Sequence, residues 1–200
     1  IRNLIDVGVV NKVPIDNDYD IRVFDSPEEL QSAIMEKNDN QSLGISRLTA
    51  TYDWEYSSQS KPKDSDYWCV RIGDWSCPWN RQLAKEKESK HLSWIEQSQT
   101  IHEVGSTFTV QGFDLNYVGV IIGPSVKYRN GKIVFDISES KNKSAVQNRK
   151  LENGEMINYG ETLLRNELNV LLTRGVNGLY VYAVDEELQN ALKKAIGNRK

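Results

Sequence analysis

The chain has 200 residues, of which 38% are hydrophobic and 26% charged, and its formal net charge at pH 7 is −3. This length supports one large or two small domains with a hydrophobic core, and the composition excludes a disordered chain. No run approaches the roughly 20 apolar residues of a membrane-spanning helix, no signal-peptide pattern is present, and the negative charge argues against a uniformly basic DNA-coating protein.

The cysteine and histidine content predicts no metal site. The two cysteines, Cys69 and Cys77, and the two histidines, His91 and His102, lack zinc-binding spacing. So few thiols in a chain of this length indicate a reduced, cytoplasmic environment. Because the sequence begins at Ile1 rather than methionine, we expect a segment of a longer protein. Residues 1–18 are interpreted as a connector or as the tail of a preceding domain.

A strand–helix–strand unit is predicted next. Apolar and polar residues alternate at 19–24, which is typical of a strand. Ser26, followed by Pro27 and Glu29, marks the start of a helix that we expect to continue to about residue 37. The next strand is predicted at 43–52.

Residues 53–94 are interpreted as an insertion, because they contain all five tryptophans among Ser, Lys, Asp and Pro residues. A short strand is predicted at 68–72 and a helix around 83–97. Two roles for the tryptophans remain open. They form a small core that belongs to the insertion, or they are exposed and stack on nucleobases.

The second half of the chain alternates strands with helices. A continuous apolar run at 118–122 predicts a buried parallel strand, and Gly112 predicts a turn before it. The Asn-Gly pair at 130–131 predicts a hairpin, and 138–158 is expected to be a mobile surface loop.

Helix, strand and helix complete the chain. A helix is predicted at 161–173, a strand at 179–184, and a helix at 185–196 with Asp185 as its N-cap. This alternation predicts an α/β fold with a largely parallel sheet and helices on both faces.

Several nucleotide and hydrolase motifs are absent from the sequence. It contains no GxxxxGK[ST] or GxGxxG loop, no GxSxG elbow and no HExxH helix. We therefore expect that this chain alone neither binds ATP tightly nor hydrolyses it.

Two segments nevertheless resemble motifs of superfamily 1 DNA/RNA helicases. Residues 109–121 (TVQGFDLNYVGVI) resemble motif V, a polar turn with Gln-Gly and an acidic residue that precedes an apolar strand. Residues 169–175 (NVLLTRG) resemble motif VI, an apolar helix that ends in Thr-Arg. Both motifs belong to the second RecA-like domain of these helicases, and they occur here in the same order.

The closest resemblance is to the DNA/RNA helicase domain of uncharacterised bacterial proteins, which is shared with Schlafen-type helicases. It is clearest over 100–188 and extends back to 46–56. It implies a RecA-like, P-loop NTPase-type domain over 19–200, the C-terminal part of an ATP-dependent helicase or translocase that is inactive alone. ATP and Mg²⁺ are then cofactors of the complete protein, and the partners are an upstream P-loop RecA-like domain and single-stranded DNA or RNA, without a membrane.

The resemblance also implies roles for individual residues. Arg174 corresponds to the motif VI arginine, which stabilises charge on the γ-phosphate across the interdomain cleft. Nucleotide contacts are implied for Gln111, Gly112, Asp114 (where Glu is commoner), Arg165 and Thr173. Thr107 and Thr109 lie where motif V contacts the nucleic-acid backbone. Structural roles remain open for Arg174 as a helix-end cation and for Arg165 on a solvated helix face.

Two other classes of function remain open. One is a RecA-like binding or scaffold module without ATP turnover, which the missing phosphate loop and the net negative charge would fit. The other is a nuclease with catalytic carboxylates from Asp64, Asp66 and Asp74. His102 is interpreted as a structural or exposed residue, and Glu103 as a surface carboxylate.

Overall fold

The computed structural model describes residues 1–14, 16–39, 44–84 and 91–197. Its strands are β1 (Asp20–Val23), β2 (Arg47–Ala50), β3 (Cys69–Ile72), β4 (Trp75–Pro78), β5 (Val104–Gly105), β6 (Leu115–Ile122), β7 (Val126–Arg129), β8 (Lys132–Phe135), β9 (Arg149–Lys150), β10 (Met156–Ile157) and β11 (Gly175–Ala183). Its α-helices are α1 (Pro27–Asp39), α2 (Thr107–Val110), α3 (Lys143–Val146), α4 (Gly160–Leu172) and α5 (Glu186–Ile196). A π-helical turn spans Asn3–Val7, and 3₁₀ turns span Trp94–Glu96 and Ser98–His102.

The central element is a five-stranded sheet with the order β1-β11-β6-β2-β5. Every neighbouring pair within it is parallel. Hairpins formed by β3 with β4, β7 with β8 and β9 with β10 lie outside this sheet. The predicted α/β fold with a largely parallel sheet is therefore confirmed.

Helices cover both faces of the sheet. In β6, Val118, Val120 and Ile122 belong to one hydrophobic cluster and Ile121 to the other, as the two-residue period of a strand requires. Leu30 and Ile34 of α1 belong to the cluster on one face. Leu168 of α4 and Leu188 of α5 belong to the cluster on the other. The prediction of helices on both faces is confirmed.

Local signals place several element ends where the sequence predicts them. The Glu29 N–H donates a hydrogen bond to the Ser26 hydroxyl (3.2 Å) at the start of α1. The Leu188 N–H donates to the Asp185 carboxylate (3.0 Å) at the start of α5. The β7–β8 turn has Asn130 at φ 53° and Gly131 at φ 79°, the left-handed pair that a two-residue hairpin favours.

The tryptophan-rich segment differs from its prediction. The strand β3 is confirmed, but it pairs with β4 in a hairpin that the sequence did not indicate. Of the helix predicted at 83–97, residues 85–90 lie outside the described ranges, and the described remainder contains only the 3₁₀ turn Trp94–Glu96. Glu96 accepts hydrogen bonds from the backbone N–H and the hydroxyl of Ser93, which closes a capping box at the start of this turn.

The tryptophans do not form a core of their own. Trp75 and Trp79 lie in the same cluster as Leu48 of β2, and Trp94 lies in the cluster on the opposite face. The interpretation of a separate small core is therefore wrong, because the segment packs onto the sheet instead. Trp79 extends the sheet through a parallel bridge to Val104 of β5.

Two other segments have more structure than their composition indicates. Residues 138–158 contain α3 and the β9–β10 ribbon, neither of which was predicted. Residues 1–14 pack against the domain, since Ile5 is buried in the same cluster as Leu168. Among the helices of the described ranges, none has both the length and the apolar character needed to cross a bilayer.

Candidate functional site

Arg174 lies between the end of α4 and the start of β11. The helix ends there because the Thr173 hydroxyl donates a hydrogen bond to the Asn169 carbonyl (2.7 Å) and competes with the helical pattern. The chain then turns at Gly175, where a Cβ atom would collide with the Gly178 carbonyl oxygen. Only glycine therefore fits at position 175. This close contact fixes the backbone immediately after Arg174.

The Arg174 guanidinium joins the two helicase-like segments. Its Nε donates to the Val170 carbonyl (3.1 Å), and its Nη1 donates to the Phe113 carbonyl (3.4 Å), 61 residues away in the chain. Nη1 also lies 3.7 Å from Oδ1 of Asp114. Nη2 has no hydrogen-bond partner among the described residues, which leaves one edge of the guanidinium open for an anionic oxygen.

The turn beside Arg174 is exposed. Gly112 has φ 82°, a left-handed conformation that favours glycine, and Phe113 N–H closes the turn on the Val110 carbonyl (3.2 Å). Gln111, Gly112 and Asp114 are exposed to solvent. The Leu115 N–H donates to the Arg174 carbonyl (2.8 Å), so the turn and the arginine meet where β6 and β11 begin. We call this edge the strand-start edge.

Arg165 and Thr173 take no part in the contact between Arg174 and the Gln111–Asp114 turn. Arg165 lies nine residues before Arg174 on α4, roughly 13 Å away along the helix axis. Its guanidinium lies 5.6 Å from the centre of the Phe135 ring. The structure therefore does not bring Arg165 to Arg174, and the Thr173 hydroxyl is occupied at the helix end.

Thr107 and Thr109 occupy different environments on α2. The buried Thr109 hydroxyl accepts a hydrogen bond from the Ser106 N–H and donates one to the Ser106 carbonyl, both at 2.8 Å. It therefore caps its own turn and has no free donor. Thr107 is half-buried and lines an open groove of about 370 Å³ together with polar residues such as Gln111 and Asn166, the carboxylate Glu167, and apolar residues of α3 and α4.

A second group of polar side chains lies at the opposite edge, where β2 and β6 end. We call it the strand-end edge. Asp53 is 5% exposed, and its Oδ2 accepts hydrogen bonds from the Thr51 hydroxyl (2.9 Å) and the Ser125 N–H (3.0 Å). Burial raises the pKa of Asp53, although these two bonds oppose the rise.

Glu167 on α4 is the other buried carboxylate at this edge. It is 7% exposed and accepts a hydrogen bond from the Tyr52 N–H (2.5 Å). Burial raises the pKa of Glu167 to about 7. No role was predicted for this residue, although Glu167 falls within the apolar stripe of Leu164, Leu168 and Leu171, a position that indicates burial.

Glu103 also differs from its prediction. It is 1% exposed and accepts hydrogen bonds from the Trp94 indole (2.7 Å) and the Leu83 N–H (2.5 Å). The interpretation as a surface carboxylate is therefore wrong, because Glu103 fixes one end of the tryptophan-rich segment to the sheet. His102 is exposed, as one of its two interpretations required.

The nuclease alternative gains no support from the structure. Asp64, Asp66 and Asp74 are all exposed. Within the described ranges, no three or more His, Cys, Asp or Glu side chains are grouped so that they could hold a metal ion.

Comparison with known proteins identifies similar chains. The family model of the Schlafen group 3 DNA/RNA helicase domain matches residues 1–185. An uncharacterized protein of Saccharomyces cerevisiae is 38% identical over 178 residues, which make up 87% of this chain and 36% of the yeast protein. The chain thus spans about a third of the length of this relative. No solved structure matches. These matches support the Schlafen-type helicase domain but not the expected bacterial origin.

Proposed function

Because that match covers residues 1–185, the chain belongs to the Schlafen group 3 DNA/RNA helicase domain family, and we propose that it is the second RecA-like domain of an ATP-dependent helicase or translocase. In this proposal an upstream RecA-like domain supplies the phosphate loop and the Mg²⁺ ligands. The present domain completes the ATP site and half of a single-strand nucleic-acid track. It lies C-terminal to its partner domain and is inactive alone.

The contact between Arg174 and the Gln111–Asp114 turn carries the proposal. Two segments that resemble separate helicase motifs meet at the strand-start edge, where Nη1 of Arg174 lies 3.7 Å from Oδ1 of Asp114. Two backbone carbonyls also hold the guanidinium in place. A cation that is positioned in advance loses little freedom when it meets the transition state, which is how such a group accelerates a reaction.

The proposed mechanism is an exchange of partners at Arg174. In the structure the guanidinium faces Asp114, whose side chain is 69% exposed, so the ion pair is weak and is readily given up. When the cleft closes on ATP, the γ-phosphate replaces Asp114 as the partner of Arg174 and receives charge stabilisation as the bond to the leaving group breaks. Hydrolysis turns the γ-phosphate into inorganic phosphate, and its release removes this anion and lets the cleft reopen.

Replacing Arg174 in the full-length protein tests the proposal. We expect Arg174→Ala to lower the nucleic-acid-stimulated kcat for ATP about 10³-fold or more, because removal of an arginine finger has effects of this size. Arg174→Lys should remain strongly impaired, since an ammonium group keeps the charge but loses the planar fork. Arg71→Ala is the matched control, because Arg71 is an exposed arginine on β3. It should change kcat by no more than about twofold.

The outcomes separate the proposal from its alternative. Full ATPase activity in Arg174→Ala would contradict a role at the γ-phosphate. A wild-type protein that binds nucleic acid but hydrolyses no ATP would instead favour the binding or scaffold module.

A further inference from the structure

A second cavity lies at the strand-end edge, across the sheet from Arg174. Tyr52 follows β2, Ser106 follows β5, and the Asn80 N–H donates to the Val104 carbonyl of β5 (3.0 Å). These residues line an open cavity of about 370 Å³ together with Tyr56, Arg81, Phe108 and Thr109. Ligands of parallel α/β sheets commonly bind beyond the carboxyl ends of the strands, which is where this cavity lies.

Buried polar atoms in the cavity wall have no partners. Asn80 is 4% exposed, and neither its amide nitrogen nor its amide oxygen makes a hydrogen bond. Ser106 is fully buried, and its hydroxyl oxygen is also unpaired. Buried polar groups are nearly always paired in native proteins, so an unpaired donor, acceptor and hydroxyl in a cavity wall mark a place for a ligand or an ordered water.

Aromatic and cationic groups form the rest of the wall. Phe108 is 59% exposed, and its ring meets the ring of Tyr52 edge-on at a centroid distance of 5.6 Å. Tyr56 adds a third ring. Arg81 is exposed and makes no ion pair or side-chain hydrogen bond with any residue in the described ranges. No carboxylate is among the described residues that line the cavity.

The backbone at the cavity is held in an unusual conformation. Asn80 has φ 59° and Arg81 has φ 61°, two successive non-glycine residues in the left-handed region. The Asn80–Val104 hydrogen bond and a bond from the Gln82 amide to the Asn80 carbonyl (3.2 Å) maintain it. Such strain persists where the surrounding structure enforces it, and it clusters at ligand sites. Here Asn80 is buried and Arg81 is exposed.

We propose that this cavity holds one unstacked nucleobase and that the Asn80 amide makes its affinity depend on which base is present. The inference rests on the nucleic-acid role proposed above and adds base selectivity to it. An amide presents a donor beside an acceptor, which matches the hydrogen-bonding edge of a base. Phe108 stacks on the base, the tyrosines line the sides of the cavity, and Arg81 pairs with the adjoining phosphate.

Phe108 also separates the cavity from the open groove that Thr107 lines. Both spaces have a volume of about 370 Å³, and Phe108 borders each of them. An exposed ring between two cavities is a stacking platform for consecutive bases. The proposed strand therefore runs over α2 from Arg81 toward Arg149, which lines the groove together with the buried Glu167.

Binding of labelled homopolymers to the full-length protein without ATP tests the proposal. Fluorescence anisotropy with oligo-dA, oligo-dC and oligo-dT of equal length should give affinities that differ about tenfold between the best and the worst base. In Asn80→Ala the difference should shrink to about twofold, because the reading amide is lost. Phe108→Ala should weaken all three homopolymers about tenfold, because stacking tolerates every base.

Controls separate this result from the ATPase proposal. Tyr159→Ala removes an exposed aromatic ring that lines neither space and should leave all affinities unchanged. Arg174→Ala should abolish ATP turnover but retain the difference between homopolymers. Loss of turnover without any base dependence would overturn only the present inference.

A competition experiment distinguishes a free nucleotide from a base within a strand as the ligand of the cavity. A nucleoside monophosphate that displaces the oligonucleotide from wild type but not from Asn80→Ala identifies a free nucleotide as the ligand. Failure to compete, with the base dependence intact, identifies a base within a strand. Equal affinities for the three homopolymers, or an undiminished difference in Asn80→Ala, would overturn the inference.

Photocrosslinking keeps the test valid if the Asn80 variant does not fold. Wild-type protein irradiated with a strand that contains 5-iodouracil should form its adduct at Tyr52, Tyr56 or Phe108, the rings of the cavity. Adducts found only on other peptides would contradict the proposed location.

Discussion

The two edges of the central sheet carry polar residues of opposite character. At the strand-start edge, Asp114 is 69% exposed and Arg174 is held by backbone carbonyls. At the strand-end edge, Asp53 and Glu167 are buried with raised pKa values. Asn80 and Ser106 there are buried with unpaired polar atoms. At the strand-start edge, a ligand reaches these groups without a change in the fold. At the strand-end edge, the groups that would contact a ligand are also buried in the fold, so a substitution there changes stability as well as binding.

This difference has an energetic basis. An exposed ion pair contributes about 0 to 1 kcal/mol, so the strand-start residues are nearly free to change partners. A buried ionised carboxylate has lost much of its hydration, and it favours the protonated form unless other groups compensate. Substitutions at the two edges should therefore affect stability very differently.

The largest expected stability effect is at Glu167 and depends on pH. The pKa of Glu167 is raised by burial from 4.5 to about 7. The stabilisation that comes from protonated Glu167 in the folded state is therefore fully present below pH 4.5. It is lost as the pH rises through 7 and the carboxyl group ionises. Glu167→Gln is neutral at every pH, so we expect it to exceed wild type in unfolding free energy at pH 8 by up to about 3 kcal/mol. Near pH 4.5 the two should be equal.

Urea denaturation of this chain at both pH values measures the difference. Asp53 has a pKa raised in the same direction, so some pH dependence should remain in Glu167→Gln. Equal destabilisation of the variant at both pH values would show that Glu167 is ionised and well compensated, which would remove the contrast between the two edges.

A smaller effect is expected at Thr109. Its hydroxyl caps the α2 turn through the two bonds to Ser106, so Thr109→Ala should lower the unfolding free energy by about 1 kcal/mol. Thr109→Ser keeps the hydroxyl and should restore most of the loss. Thermal denaturation measures stability, and oligonucleotide binding measures function. If Thr109→Ala retains its stability but binds nucleic acid less tightly, Thr109 contributes to nucleic-acid binding, as the motif V resemblance implies, and its two bonds to Ser106 contribute little to stability.

The smallest effect is expected at Asp114. Because its pair with Arg174 is exposed and 3.7 Å long, Asp114→Ala should change the unfolding free energy by no more than about 0.5 kcal/mol. Asp185→Ala is the matched comparison, since Asp185 is 9% exposed, pairs with Arg129 at 2.7 Å and caps α5. It should cost about 2 kcal/mol. Equal losses in urea denaturation would show that the strand-start edge is structural.

Much of the fold was predictable because its signals are local. The cap at Ser26, the hairpin at Asn130 and the apolar run of β6 each determine an element through neighbouring residues. The order of the two motifs placed Arg174 and the Gln111–Asp114 turn in the same predicted domain. The sequence did not establish how those motifs meet, because that depends on β6 and β11 being neighbours in the sheet.

The strand-end edge was not predictable for the same reason. The burial of Glu103 depends on Trp94 and Leu83, and the position of Asn80 depends on the bridge that joins Trp79 to β5. These contacts join residues that are separated in sequence and carry no local pattern. Glu167 is the exception, since its place in a leucine stripe is a local pattern that indicates burial.

The central claim is that Arg174 contacts the γ-phosphate, and nucleotide binding to the full-length protein tests it most directly. Calorimetry should compare ADP with ADP–aluminium fluoride, which mimics the transferring phosphoryl group. We predict that Arg174→Ala weakens binding of the aluminium fluoride complex at least about 100-fold and changes ADP affinity by less than about threefold. Equal losses for both ligands, or no loss for either, would contradict the claim.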